Sequence, residues 1–138
     1  MKEKLTKSKV RVKALGEVFT PESLVEEMLD KLPPECWLPE KTFLEPSCGT
    51  GNFLVAILCR KLQLGHHPIQ SLQSIYGVDI MADNVVESRK RMLRVAIDGG
   101  LDCESPDLIK AVKILKQNIR VGNTLQMTLD EIFEERKI

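Results

Sequence analysis

Glu45-Pro46-Ser47-Cys48-Gly49-Thr50-Gly51-Asn52-Phe53 is the stretch whose reading decides the fold. The short apolar run Thr42-Phe43-Leu44 leads into it, and residues 53–64, mostly apolar, lead out of it. A strand therefore passes through a glycine turn into a buried helix. At such a turn Gly49 and Gly51 let the backbone approach a ligand closely, and the helix N-terminus that follows offers unpaired N–H groups to polar or anionic parts of it. As a dinucleotide fingerprint the stretch fails at its third glycine, where Leu54 stands. That disfavours a pyrophosphate ligand and favours a smaller adenosine-based one. Glu45, at the end of the strand, is an acid placed to face a ligand's ammonium group.

Working outward from the loop, Thr20-Pro21 reads as a capping hydroxyl followed by a proline in the first helical turn. Leu24, Val25, Met28, Leu29 and Leu32 then line one face until Pro33-Pro34 end the helix. Downstream, Ser74-Ile75-Tyr76-Gly77-Val78-Asp79 is the next strand. Residues 81–97 form an amphipathic helix, with Val85, Val86, Met92, Leu93 and Ala96 among Glu87, Arg89, Lys90, Arg91 and Arg94, and Gly99-Gly100 stop it. Ser105-Pro106-Asp107 caps a further helix with an apolar stripe of Leu108, Ile109, Val112 and Leu115, and Asn118-Ile119-Arg120-Val121 is a third strand. Residues 129–133 begin a last helix. Strands alternating with helices of this length imply right-handed crossovers and a parallel sheet, the doubly wound α/β architecture. In that architecture Asp79, at the end of the second strand, supplies two acceptor oxygens for two ribose hydroxyls, and Ile80 beside it covers one face of an adenine.

A chain of 138 residues, 43% hydrophobic and 29% charged, has the size and composition of one globular unit. Twenty basic residues balance twenty acidic ones, so no global field draws the molecule to nucleic acid or membrane. Charge is nonetheless uneven: residues 1–15 form a basic segment through Lys2, Lys4, Lys7, Lys9, Arg11 and Lys13, ahead of a domain over residues 16–138. Cys36, Cys48, Cys59 and Cys103 lack metal-site spacing and read as reduced thiols. With no signal peptide and no bilayer-length apolar run, a cytoplasmic protein without membrane contact is expected. His66-His67 has no Cys or carboxylate at ligand spacing, so no metal is expected; it reads as loop. Cys48 needs only to be small at its position. The basic run Arg89, Lys90, Arg91 and Arg94 reads as a solvated helix face, and Trp37 and Tyr76 are too isolated to make a base-stacking platform.

Four blocks, in order, make the chain resemble the adenine-specific DNA methyltransferases of type I and type II restriction-modification systems, which use S-adenosylmethionine (SAM). They are Gly16-Glu17-Val18-Phe19-Thr20-Pro21, the loop over residues 44–53, Tyr76-Gly77-Val78-Asp79-Ile80 and Val121-Gly122-Asn123-Thr124-Leu125. The first block is the most discriminating, since other Rossmann-like methyltransferases lack it. By this resemblance the fold is a Rossmann-like SAM-dependent methyltransferase fold, incomplete, holding the first three parallel strands with flanking helices. The cofactor is then S-adenosylmethionine. Phe19, Thr20 and Pro21 contact its methionine end; Glu45, Pro46, Ser47, Gly49, Gly51, Asn52 and Phe53 form the loop that holds it; Asp79 and Ile80 take the ribose and adenine; and Asn123 with Thr124 reads the adenine ring. The family usually has Asp where this chain has Asn123, whose amide oxygen still accepts from the adenine amino group.

The family's catalytic tetrapeptide, Asn or Asp followed by Pro-Pro and an aromatic residue at the end of the fourth strand, has no counterpart here. The one Pro-Pro, Pro33-Pro34, follows Leu32 and precedes Glu35 on the wrong side of the glycine loop. No catalytic residue is assigned, and the isolated chain is expected to be inactive. DNA recognition is expected from a missing or separate region. In the first half of a doubly wound sheet the strands lie in the order third, second, first, which leaves the first strand as an edge where the fourth belongs. Such an edge invites self-association or a complementary chain. Two other functions stand beside the methyltransferase part: a non-catalytic SAM-binding module, regulatory or vestigial, and a dinucleotide-dependent enzyme. The failed third glycine and the Phe19-Thr20-Pro21 block disfavour the latter.

Overall fold

The computed structural model describes residues 20–134. Its first helix, α1 (Glu22–Asp30), begins one residue later than a Thr20 cap implies. Pro21 itself is the flanking residue, extended at φ −60° and ψ 149°, and no side chain caps the helix. Its carbonyl accepts from Leu24 and Val25 N–H at 3.1 and 3.0 Å. Of the expected apolar stripe, Val25 and Leu29 are buried, whereas Leu24 and Met28 are 44% and 46% exposed. The face that packs is narrower than the apolar stripe. Pro33-Pro34 does more than end the helix: a 3-10 turn, Pro34–Trp37, sets Trp37 against Phe43 with ring centroids 5.0 Å apart.

Strand β1 (Phe43–Glu45) enters the glycine loop and α2 (Asn52–Gln63) leaves it. Next comes α3 (Pro68–Gln73), a helix that the sequence reading does not assign, starting directly after the His66-His67 pair read as loop. His67 caps it, its Nδ1 accepting from Ile69 N–H at 3.1 Å, with Pro68 in the first turn. Strand β2 (Ile75–Asp79) and α4 (Ala82–Asp98) follow. Helix α4 stops at a left-handed Gly100 of φ +113°, where Leu101 N–H bonds Ala96 O and Gly100 N–H bonds Ile97 O. This paired return is a Schellman motif. Helix α5 (Asp107–Asn118) starts with Ser105 Oγ accepting from Asp107 N–H at 3.1 Å, so the Ser-Pro-Asp cap is present. It runs directly into β3 (Ile119–Val121), and α6 (Leu129–Glu134) ends the described chain.

Among the described residues the three strands form one parallel sheet in the order β1-β2-β3, with Phe43 opposite Ile75 and Gly77 opposite Ile119. This is the third-second-first order read from the other edge, and the fold is an incomplete Rossmann-like methyltransferase fold. On one face α2 and α4 pack together and against β2. Gly77 makes this close: a Cβ there would stand 2.9 Å from Leu54 Cδ1. Leu54, Leu58, Leu72, Ile75, Met92 and Ile119 are fully buried, each stabilising the fold by about 1.5–3 kcal/mol. Lys61 is buried with them, its Nζ donating to Lys41 O at 2.9 Å and lying 5.2 Å from the Phe43 ring centre. Desolvation holds its ammonium below the ordinary lysine range, opposed by the charge of Glu40.

The register puts Leu44, Tyr76, Val78 and Arg120 on the opposite face. There α6 packs, Phe133 meeting Tyr76 edge-on at 5.4 Å and Arg120 Nη1 donating to Ile132 O. Leu44 stays 42% exposed. No helix among the described residues is long and apolar enough to cross a membrane.

Candidate functional site

All three strands point their C-terminal ends at the loop between β1 and α2. Left-handed backbone at Gly49 (φ 55°) and Gly51 (φ 96°) folds the loop, and Gly51 N–H closes on Cys48 O at 3.0 Å. A side chain at Gly51 would meet Ser88 Oγ at 3.0 Å. Cys48 N–H donates to Val78 O at 2.7 Å, tying the loop to β2. Glu45 Oε1 accepts from Ser47 N–H at 3.0 Å. Burial pushes the Glu45 carboxyl above the ordinary range, against the pull of that N–H bond. Pro46 and Ser47 are exposed, and Phe53 is half-buried against the core.

The residues singled out in distant parts of the sequence meet around this loop. Thr20 lies beside it, its carbonyl accepting from Asn52 Nδ2 at 2.6 Å across 32 residues. Asp79 reaches it from β2, accepting from Gly49 N–H at 3.0 Å across 30 residues. Thr124 reaches it after β3, its Oγ1 donating to Pro46 O at 3.2 Å across 78 residues. Pro21 follows Thr20 into α1, whereas residues 16–19 of the same block, Phe19 among them, lie outside the described residues. Ile80 is 47% exposed beside Asp79. Asn123 turns the chain, its Oδ1 accepting from Leu125 N–H at 3.0 Å.

Asp79 is itself 6% exposed and well used. Besides Gly49 N–H it accepts from Met81 N–H at 3.0 Å and Asn84 Nδ2 at 2.9 Å. A carboxylate has about four lone-pair positions, so about one remains for a ligand hydroxyl. Accepting from two hydroxyls requires one of the present bonds to be given up.

Helix α4 contributes residues that sequence reasoning passed over. Arg89 and Arg91, read as part of a solvated face, are half-buried and bonded to backbone. Arg89 Nε and Nη2 donate to Ile119 O at 2.9 and 2.6 Å, at the join of α5 and β3. Arg91 Nη1 donates to Thr50 O and Asn52 Oδ1, both at 2.8 Å. Lys90 and Arg94 are exposed, as a solvated face requires. One turn before Arg91, Ser88 Oγ donates to Gly49 O at 3.0 Å. The signal was the spacing: residues 88 and 91 share one helix face with buried Val85 and Met92 on either side.

Cys48 is buried, and desolvation, with the nearby charge of Asp79, pushes its thiol up to about 12. It is no nucleophile at neutral pH. All four cysteines, Cys36, Cys48, Cys59 and Cys103, are free, and no group of His, Cys, Asp and Glu fit to hold a metal occurs among the described residues. An open groove of about 420 Å³ between α1 and α2 shares Asn52 and Arg91 with the loop network.

Comparison with known proteins adds three findings. A family model described as N-6 DNA Methylase matches residues 4–99, more than half of the chain. Over 106 residues the chain is 32% identical to the Type II methyltransferase M.VspI of Vibrio sp. (strain 343), a match covering 77% of this chain and 24% of that protein. The chain thus spans about a quarter of the length of that relative. No solved structure matches it.

Proposed function

The chain belongs to the N-6 DNA methylase family, and from that premise we propose that residues 16–138 are the cofactor-binding part of a SAM-dependent methyltransferase acting on the exocyclic amino group of adenine in DNA. One observation carries the reading. Thr20, Asp79 and Thr124, far apart in sequence, are each hydrogen-bonded directly to the glycine loop at the C-terminal ends of the strands. Open parallel sheets bind ligands at that end.

The donors and acceptors present suit SAM. Glu45 is a half-buried carboxylate bonded to a neutral N–H, with no cation paired to it among the described residues, so a ligand ammonium completes it. Asp79 offers the acceptor for a ribose hydroxyl, Ile80 an apolar cover for the adenine, and Asn123 with Thr124 the polar edge that reads it. Phe19, Thr20 and Pro21 complete the methionine end. When bound, SAM supplies a methyl group on a sulfonium, open to in-line attack by an amino nitrogen. The residues of this chain bind and orient the cofactor. Holding the target base needs groups of the kind found in the Asn/Asp-Pro-Pro-aromatic tetrapeptide, which these 138 residues do not contain. The 138-residue chain alone therefore binds SAM without transferring its methyl. DNA is engaged through a separate recognition region, the free edge of β1 pairs with another strand, and the cytoplasm is where such a substrate and thiols of this kind belong.

Calorimetric titration of the chain with SAM and, separately, with NAD tests the reading. Saturable SAM binding with no response to NAD is expected. Binding of NAD in place of SAM overturns it.

A further inference from the structure

Two consecutive carbonyls of the glycine loop are gripped by one helix. Gly49 O accepts from Ser88 Oγ at 3.0 Å and Thr50 O from Arg91 Nη1 at 2.8 Å, the two side chains standing three residues apart on α4. In a trans peptide the N–H points opposite to the C=O. Turning the Gly49 carbonyl onto α4 therefore turns the Thr50 N–H away from α4, and turning the Thr50 carbonyl does the same for the Gly51 N–H, which closes the loop on Cys48 O. The same Arg91 nitrogen also holds Asn52 Oδ1 at 2.8 Å. That bond fixes the amide of Asn52 with its Nδ2 toward Thr20 O, 2.6 Å away. A guanidinium in this position presents donors only, so it is compatible with carbonyl oxygens facing it and not with N–H groups.

We infer that Arg91 is a positioning residue for the cofactor loop: through Thr50 O and Asn52 it sets which way the loop's peptides face and couples the loop to the segment entering α1. The inference rests on the SAM-binding reading for its consequence, but not for its geometry. In this role Arg91 acts through the loop rather than on a ligand directly. It decides whether the loop presents N–H groups or carbonyls to one.

The test uses the 138-residue chain and three variants, Arg91→Met, Arg91→Lys and Arg89→Met. Amide hydrogen exchange is measured without ligand, followed by SAM titration. In Arg91→Met the bonded amides of Cys48, Gly49 and Gly51, and those of Leu24 and Val25 at the start of α1, lose protection, and SAM affinity falls about tenfold, the equivalent of one lost hydrogen bond to a charged donor. Arg91→Lys, whose ammonium has three donors for the same two oxygens, regains most of both. Arg89→Met lowers global stability but leaves loop protection, relative to the rest of the chain, and SAM affinity as they were. If Arg91→Met does not fold, Arg91→Gln takes its place, and loop protection and SAM affinity unchanged in that folded variant overturn the inference. Unchanged loop protection in a folded Arg91→Met also overturns it. Failure of the unmodified chain to bind SAM, with loop protection still dependent on Arg91, overturns the functional reading instead.

Discussion

At the scale of single residues, burial decides what the ionisable groups do. Glu45 sits half-buried at the end of β1 with a neutral hydrogen-bond partner, so its carboxyl is held above the ordinary range. The folded chain then binds that proton more tightly than the unfolded chain, and the stability contributed at this site falls as pH rises through and above the ordinary glutamate range. Glu45→Gln accordingly raises the melting temperature at neutral pH, modestly because the group is partly solvated, and changes little in acid where both forms are neutral. The same variant weakens SAM binding, because an ammonium loses its counter-charge. Thermal unfolding at several pH values beside SAM titration checks this, and a Glu45→Gln chain that is less stable at neutral pH contradicts it. Much of the site was legible residue by residue: Thr20, the loop, Asp79 and Thr124 are brought together. What was not legible was occupancy. Three N–H donors already use Asp79, and no periodicity or spacing announces that.

At the scale of elements, strands and long helices were readable because their apolar positions repeat with the right period. The strands at Phe43, Ile75 and Ile119 and the helices leaving the loop and spanning Ala82–Asp98 stand within a residue or two of where the pattern puts them. Short elements were not. Helix α3 has six residues, and its start is written by His67 and Pro68, which in sequence look like loop punctuation. The 3-10 turn at Pro34–Trp37 is hidden the same way. The Thr20 cap failed for a related reason. Its carbonyl is bonded to Asn52, and Pro21, with its fixed φ, takes the flanking position. The basic face of α4 misled because amphipathic periodicity separates apolar from polar residues but does not say which polar residues have backbone to hold. Arg89 holds the α5–β3 join and Arg91 holds the glycine loop, while Lys90 and Arg94 face solvent.

At the scale of the whole molecule, the sheet has one well-covered face and one that α6 covers in part. Leu44 is 42% exposed on that second face, and β1 is an edge strand of the described sheet. An apolar edge of this kind pairs with another strand when one is near. The 138-residue chain is therefore expected to self-associate at micromolar concentration in light scattering, and Leu44→Lys to shift it toward monomer without loss of helical signal; a strictly monomeric unmodified chain contradicts this. The central claim is that segments 30 to 78 residues apart in sequence converge on one cofactor pocket at the ends of three parallel strands. Amide chemical-shift mapping during titration with SAM tests it most directly. Shifts concentrated at Thr20, Gly49 to Phe53, Asp79, Ile80, Asn123 and Thr124 are predicted, with the N-terminal ends of the strands near Lys41 and Ser74 undisturbed. Shifts absent from the loop, or centred elsewhere, would contradict the account.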